Sequence, residues 1–156
     1  MAKLKDVVVY ILEKYPHKHE LSNARVTKLI YLADWYSAIK HKKQISTIDW
    51  YFDNYGPFVW DVYNLVTKDQ EQFNIEHTTN SYGNEKKLIS LKRPFHCNLS
   101  SEDRESIDKI IEATQALNWQ EFINLVYSTH PILTTPKYNQ LNLIEKASEL
   151  ENSKKM

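Results

Sequence analysis

Leu4, Val7, Val8, Ile11 and Leu12 recur at the spacing of one helical face and predict a first helix from about Leu4 to Tyr15. Pro16 closes it, because the residue before a proline is pushed toward extended backbone. A polar loop, His17 to Glu20, follows, and Ser22 then offers a cap for a second helix, Asn23 to about His41. Val26, Leu29, Ile30 and Ala33 form one apolar stripe on it, and Leu32, Tyr36 and Ile39 form another. A helix with so little polar face is buried among others, so this one is expected to be central.

The stretch Gln44 to Phe52 is rich in β-branched and aromatic residues and reads as a strand or a tight extended turn. Tyr55-Gly56-Pro57 then reads as the entrance to a helix, with glycine at the cap and proline at the first helical position. Phe58, Val62, Leu65 and Val66 carry its apolar stripe. From Asp69 to Asn84 the chain is polar, and Thr78 to Asn84 is turn chemistry. Leu88 to Leu91 alternates and is expected to pair with Asn74-Ile75-Glu76 in a small, partly exposed hairpin, the most mobile region.

Helical signals return in the last third. Ser100 with Asp103, and Asn118 with Glu121, are spaced as helix starts. Ile107, Ile110, Ile111, Thr114 and Leu117 mark one face; Phe122, Ile123, Val126 and Tyr127 mark the next. Pro131 is expected to break that helix, and a final segment with Leu143, Ile144, Ala147 and Leu150 begins beyond Pro136. The fold class is mainly α (α+β): one compact helical domain over residues 1–150, with a central buried helix and a small β-hairpin or short antiparallel sheet. Residues 151–156 read as a polar, frayed tail.

Composition agrees with a folded domain, since 42% of the 156 residues are apolar and 26% charged. Only Gly56 and Gly83 occur, so no glycine-rich phosphate cradle can form. The single cysteine suits a reducing compartment, no apolar run is long enough to cross a membrane, and no signal-peptide cleavage site opens the chain. A cytoplasmic location is the expectation. Basic and acidic side chains number 20 each, which supplies no overall field for a phosphate backbone. The charge is nevertheless uneven. Residues 1–43 hold nine basic and four acidic groups, and residues 44–85 hold one basic and seven acidic. This distribution allows either an acidic face near Tyr55-Gly56-Pro57 or a mixed surface, depending on how the segments interleave.

Few residues suggest chemistry. His96 and Cys97 are adjacent and point apart; His17 and His19 lack a second pair at metal-ligand spacing. No catalytic residue, metal or cofactor is expected. His130 reads as a helix-end residue suited to the dipole, and so does the basic cluster Lys40 to Lys43, which leaves nucleic acid a weak expectation. Asp34 is the one acid on the central helix. It either bonds the neighbouring turn, pairs with Lys28 or Arg25, or sits at a partner surface. Trp35, Trp50 and Trp60 are core candidates one by one, although burial of all three is not expected in so small a domain.

The stretch from Lys28 to Tyr63 is the most distinctive. It joins Lys28-Leu29-Ile30-Tyr31-Leu32-Ala33-Asp34-Trp35 to Trp50-Tyr51-Phe52 and then to Tyr55-Gly56-Pro57-Phe58-Val59-Trp60-Asp61-Val62-Tyr63. It resembles the Panacea domain of SocA-like antitoxins, also found in phage-associated proteins. The likeness extends more weakly through Ser100 to Leu150. Phe58, where a small aliphatic residue is common, and Lys43, where a glycine often stands, depart from the pattern.

The resemblance implies a non-enzymatic helical domain that neutralises a cognate protein toxin, encoded by an adjacent gene, through direct binding. On that reading the partner-binding region is expected at Tyr31, Asp34, Trp35, Tyr51, Tyr55, Trp60 and Tyr63, making contacts or supporting them, with Gly56 and Pro57 setting the backbone. An alternative is an adaptor that delivers its partner to a protease, motivated by the polar tail from Asn152. A small hydrolase or nuclease acting through Asp34 is the remaining alternative, disfavoured by the sparse His, Cys and Gly content. Homo-oligomerisation stays open.

Overall fold

The computed structural model describes residues 1–79 and 83–154. Helix α1 (Leu4–Lys14) buries Val7, Val8, Ile11 and Leu12, and Tyr15 turns extended ahead of Pro16. Helix α2 (Asn23–His41) follows, with Ser22 Oγ accepting the Arg25 N–H at 3.1 Å. Every residue from Arg25 to Trp35 is buried, because α1, α3 (Asp61–Lys68), α4 (Ser101–Thr114) and α7 (Leu143–Lys154) pack around it. Lys42 ends α2 in left-handed backbone, φ 60°, with its N–H on the Ala38 carbonyl at 3.1 Å.

Two antiparallel pairs complete the framework. Strands β1 (Phe52–Asp53) and β2 (Gly56–Pro57) form a hairpin with Asn54 and Tyr55 at its tip. Strands β3 (Phe73–Thr79) and β4 (Glu85–Leu91) form the expected hairpin, with Asn74 opposite Ser90 and Glu76 opposite Leu88. Thr78 and Thr79 prolong β3, while residues 80–82 of the expected turn, and the mobility expected of it, lie outside the described residues.

Three expectations are corrected. Tyr55-Gly56-Pro57 is not a helix entrance: Gly56 and Pro57 are strand β2, and α3 begins only at Asp61. Gly56 stands at φ 93° and Pro57 is buried against the hairpin, so the pair serves a turn of extended chain. The other side of β1 is bonded from far away in sequence. The Leu141 N–H reaches the Trp50 carbonyl at 2.8 Å, Phe52 donates to Asn139 at 3.0 Å, and Tyr138 donates to Phe52 at 2.7 Å.

Pro131 does not end a helix. Helix α5 (Trp119–Tyr127) has already closed, with the Ser128 hydroxyl on the Leu125 carbonyl and the Thr129 hydroxyl on the Val126 carbonyl, both at 2.7 Å. Pro131 lies in the first turn of α6 (His130–Thr134), where a missing N–H costs nothing, and His130 stands at a helix N-terminus rather than a C-terminus. Finally, Asn152 to Lys154 are the last turn of α7, not a tail; Lys155 and Met156 lie outside the described residues.

Candidate functional site

Asp34 is wholly buried and its carboxylate is surrounded by donors. Oδ1 accepts the N–H of Ile45 at 2.9 Å and of Ser46 at 3.0 Å; Oδ2 accepts the Ser46 hydroxyl at 2.6 Å and the Trp50 indole N–H at 2.9 Å. Gln44 Nε2, at 3.5 Å from Oδ2, also ties the Ser46 and Ile48 carbonyls at 3.1 and 3.0 Å. Of the readings open to Asp34, the neighbouring turn takes it. Burial pushes the carboxyl up to about 6, outweighing the hydrogen bonds that favour the anion. With its oxygens so engaged, Asp34 organises the 44–50 loop and has no free face for a substrate or a partner.

Tyr31 and Trp35 are likewise supports. Tyr31 shares a hydrogen bond with Thr129 Oγ1 at 2.8 Å and meets the Trp50 ring edge-on at 5.4 Å. Trp35 stacks on His130 at 6.5 Å and so ties α2 to α6. Gly56 is held close beneath the Tyr127 ring: a Cβ there would lie 3.4 Å from it. Gly56 and Pro57 are buried, and Tyr51 is half-buried in a bridge with Gln140.

The remaining expected residues reach the surface. Tyr55 is 80% exposed at the hairpin tip and Trp60 is 56% exposed just before α3. Phe58, Trp60 and Tyr63 pack edge-to-face in series, with ring separations of 5.1 and 5.9 Å. Tyr138, 59% exposed, joins Tyr55 at the tip through its hydroxyl bond to Asn54 Oδ1. Tyr138 and Phe58 were not legible as site residues. Phe58 read as a helix stripe, and nothing local around Tyr138 announces that its segment runs along Trp50–Phe52.

Charge pairing differs between the end of α2 and the hairpin. The basic cluster at the end of α2 is matched by acids of the C-terminal third: Lys40 pairs with Glu105, Lys43 with Glu102 and Lys42 with Glu151. Asp49 and Asp61 are exposed and Asp53 half-buried near the hairpin, and none has an ion pair among the described residues. Lys28, in the distinctive motif, is 3% exposed with no ion pair among the described residues, and burial lowers its ammonium to about 8. Cys97 is half-buried and its thiol is pushed up to about 11, so it stays protonated at neutral pH. No group of three or more His, Cys, Asp or Glu residues gathers at metal-binding distance among the described residues. No described helix is long and apolar enough to cross a membrane.

The family model for the SocA-like antitoxins, Panacea domain, matches residues 26–131. The chain belongs to this family. No match is found among curated proteins or among solved structures. The Panacea segment spans most of α2, both hairpins, α3, α4, α5 and the first residues of α6, and contains the whole Asp34–Trp50 assembly. It leaves outside α1, α7 and the Tyr138–Leu141 segment that completes the exposed hairpin.

Proposed function

We propose that this Panacea-domain protein is an antitoxin that binds and neutralises a protein toxin encoded by a neighbouring gene, without catalysis of its own. One observation carries the reading: Tyr55 and Trp60 stand exposed on a rigidly supported turn, while Asp34, the residue best suited to chemistry, is consumed inside the core. Exposed aromatic anchors on a fixed backbone are the features that dominate protein interfaces. An interface of roughly 1,600 Å² centred there is enough for tight binding. Asp49, Asp53 and Asp61, without an ion pair among the described residues, favour a partner with a basic contact face.

The test is co-expression with the neighbouring gene product. Growth rescue and co-purification are expected, with both reduced by Tyr55→Ala and Trp60→Ala while melting is unchanged. Failure of the wild-type chain to rescue growth or to co-purify refutes the proposal. The adaptor alternative has lost its structural motive, since Asn152–Lys154 are helical.

A further inference from the structure

Strand β4 has an outer neighbour for only part of its length. The Ile89 N–H points away from β3 to the Leu21 carbonyl at 2.9 Å, and Ser22 bridges Leu88. Main-chain groups alternate in direction along a strand. Ile89, Lys87 and Glu85 therefore present their N–H and C=O groups outward, and Lys86, Leu88 and Ser90 bond β3. The Lys92 N–H on the Gln72 carbonyl at 2.8 Å has the parity this requires. At Asn23 the chain turns into α2, so the third strand stops after two residues. The Lys87 N–H and both main-chain groups of Glu85 have no outer main-chain partner among the described residues.

A cavity of about 660 Å³ lies in that vacant lane, walled by Asn23, Arg25, Glu85, Lys86, Lys87 and Trp119. Asn23 Oδ1 is buried there without a hydrogen-bond partner among the described residues. The Arg25 guanidinium is fixed by the Tyr15 hydroxyl at 2.8 Å, by Glu20 at 3.3 Å and by the rings of Phe122 and Trp119. Glu85 pairs with His77 at 2.9 Å. Lys86 and Lys87 have no ion pair among the described residues: one ammonium donates to the His19 carbonyl and the other sits 4.7 Å from the Tyr63 ring centroid. Tyr63 in turn packs against Trp60, their ring centroids 5.9 Å apart.

We propose that this lane takes an extended, acidic segment of the protein partner, added to β4 as its outer strand through main-chain bonds to Lys87 and Glu85. The inference rests on the antitoxin reading for the existence of that partner. Three residues of extended chain span about 10 Å, the length of lane from Glu85 to Lys87. Strand addition supplies affinity from the main chain and leaves selectivity to the flanking charges. Asn23 Oδ1 gains the donor it lacks.

Amide exchange in isotope-labelled protein, free and bound to the neighbouring gene product, tests it without any variant. The Lys87 and Glu85 amides should exchange fast when free and at least about tenfold more slowly when bound, whereas Lys86 and Leu88 are protected in both states. Lys87→Pro removes one outward N–H and should weaken binding about tenfold, and Lys87→Arg should not. Lys86→Glu should weaken binding several-fold at low salt; an unchanged affinity overturns the acidic character of the segment. Binding with unchanged exchange at Lys87 and Glu85 overturns strand addition alone. Absence of any binding overturns the antitoxin reading, and this inference falls with it.

Discussion

The indole N–H of Trp50 donates to the carboxylate of Asp34 at 2.9 Å, so the one acid of the central helix holds the aromatic residue that leads into the hairpin. This bond couples α2 to the surface that Tyr55 and Trp60 present. Replacing Asp34 by Ala leaves the Ile45, Ser46 and Trp50 N–H groups buried and unpaired. The expected loss is about 3–5 kcal/mol of stability, measured by urea denaturation. Trp50→Phe, which removes only one donor and leaves a small void, should cost less.

Asp34 also sets a pH dependence with an unusual sign. Its carboxyl titrates near 6 in the folded chain against an ordinary value of 3.8. Between those values the folded state holds a proton that the unfolded state has released, so stability falls as pH rises through the window. The loss is about 3 kcal/mol, complete above pH 6. Subtracting the profile of Asp34→Asn from that of the wild type should recover this slope. Parallel profiles would show that the carboxyl titrates at its ordinary value.

Lys42 occupies left-handed backbone that glycine adopts without strain. Lys42→Gly should raise stability by about 1 kcal/mol, read as a melting temperature higher by roughly 2–4 °C. The exposed Lys42–Glu151 pair lost in the exchange contributes a few tenths of that at most.

Gly56 and Gly83 both have positive φ, at 93° and 81°, yet they differ in surroundings. A Cβ on Gly56 meets the Tyr127 ring at 3.4 Å, whereas one on Gly83 meets nothing within 4 Å. Gly56→Ala should therefore cost about 1–3 kcal/mol and weaken partner binding, and Gly83→Ala should cost about 1 kcal/mol and leave binding intact. Paired denaturation and binding measurements on the two variants separate these effects.

Much of this fold is legible along the chain because its signals are local. The 3.6-residue spacing from Leu4 to Leu12, the Ser22 cap, and the reciprocal pair Asn118 and Glu121 all act within one turn of helix. The β3–β4 pairing follows from extended segments on either side of a polar turn. What stayed hidden depends on distant partners. Gly56-Pro57 carries helix-start chemistry, and only the docking of Tyr138–Leu141 along Trp50–Phe52 explains why it is strand. The donors of Asp34 lie 10 to 16 residues ahead of it, beyond any helical spacing. Trp50 is buried and Trp60 exposed, and composition is silent on which tryptophan takes which place.

The backbone stitching of Tyr138–Leu141 onto Trp50–Phe52 has a practical corollary for anyone shortening the gene. A fragment cut to residues 26–131 keeps every recognisable motif, yet it strips the cover from Trp50 and discards the apolar side of α2's first neighbour, Val7 and Val8 included. Such a piece bares greasy surface on two flanks at once. Deletion mapping that reports inactive fragments would then be measuring collapse and clumping, with no bearing on where a partner sits.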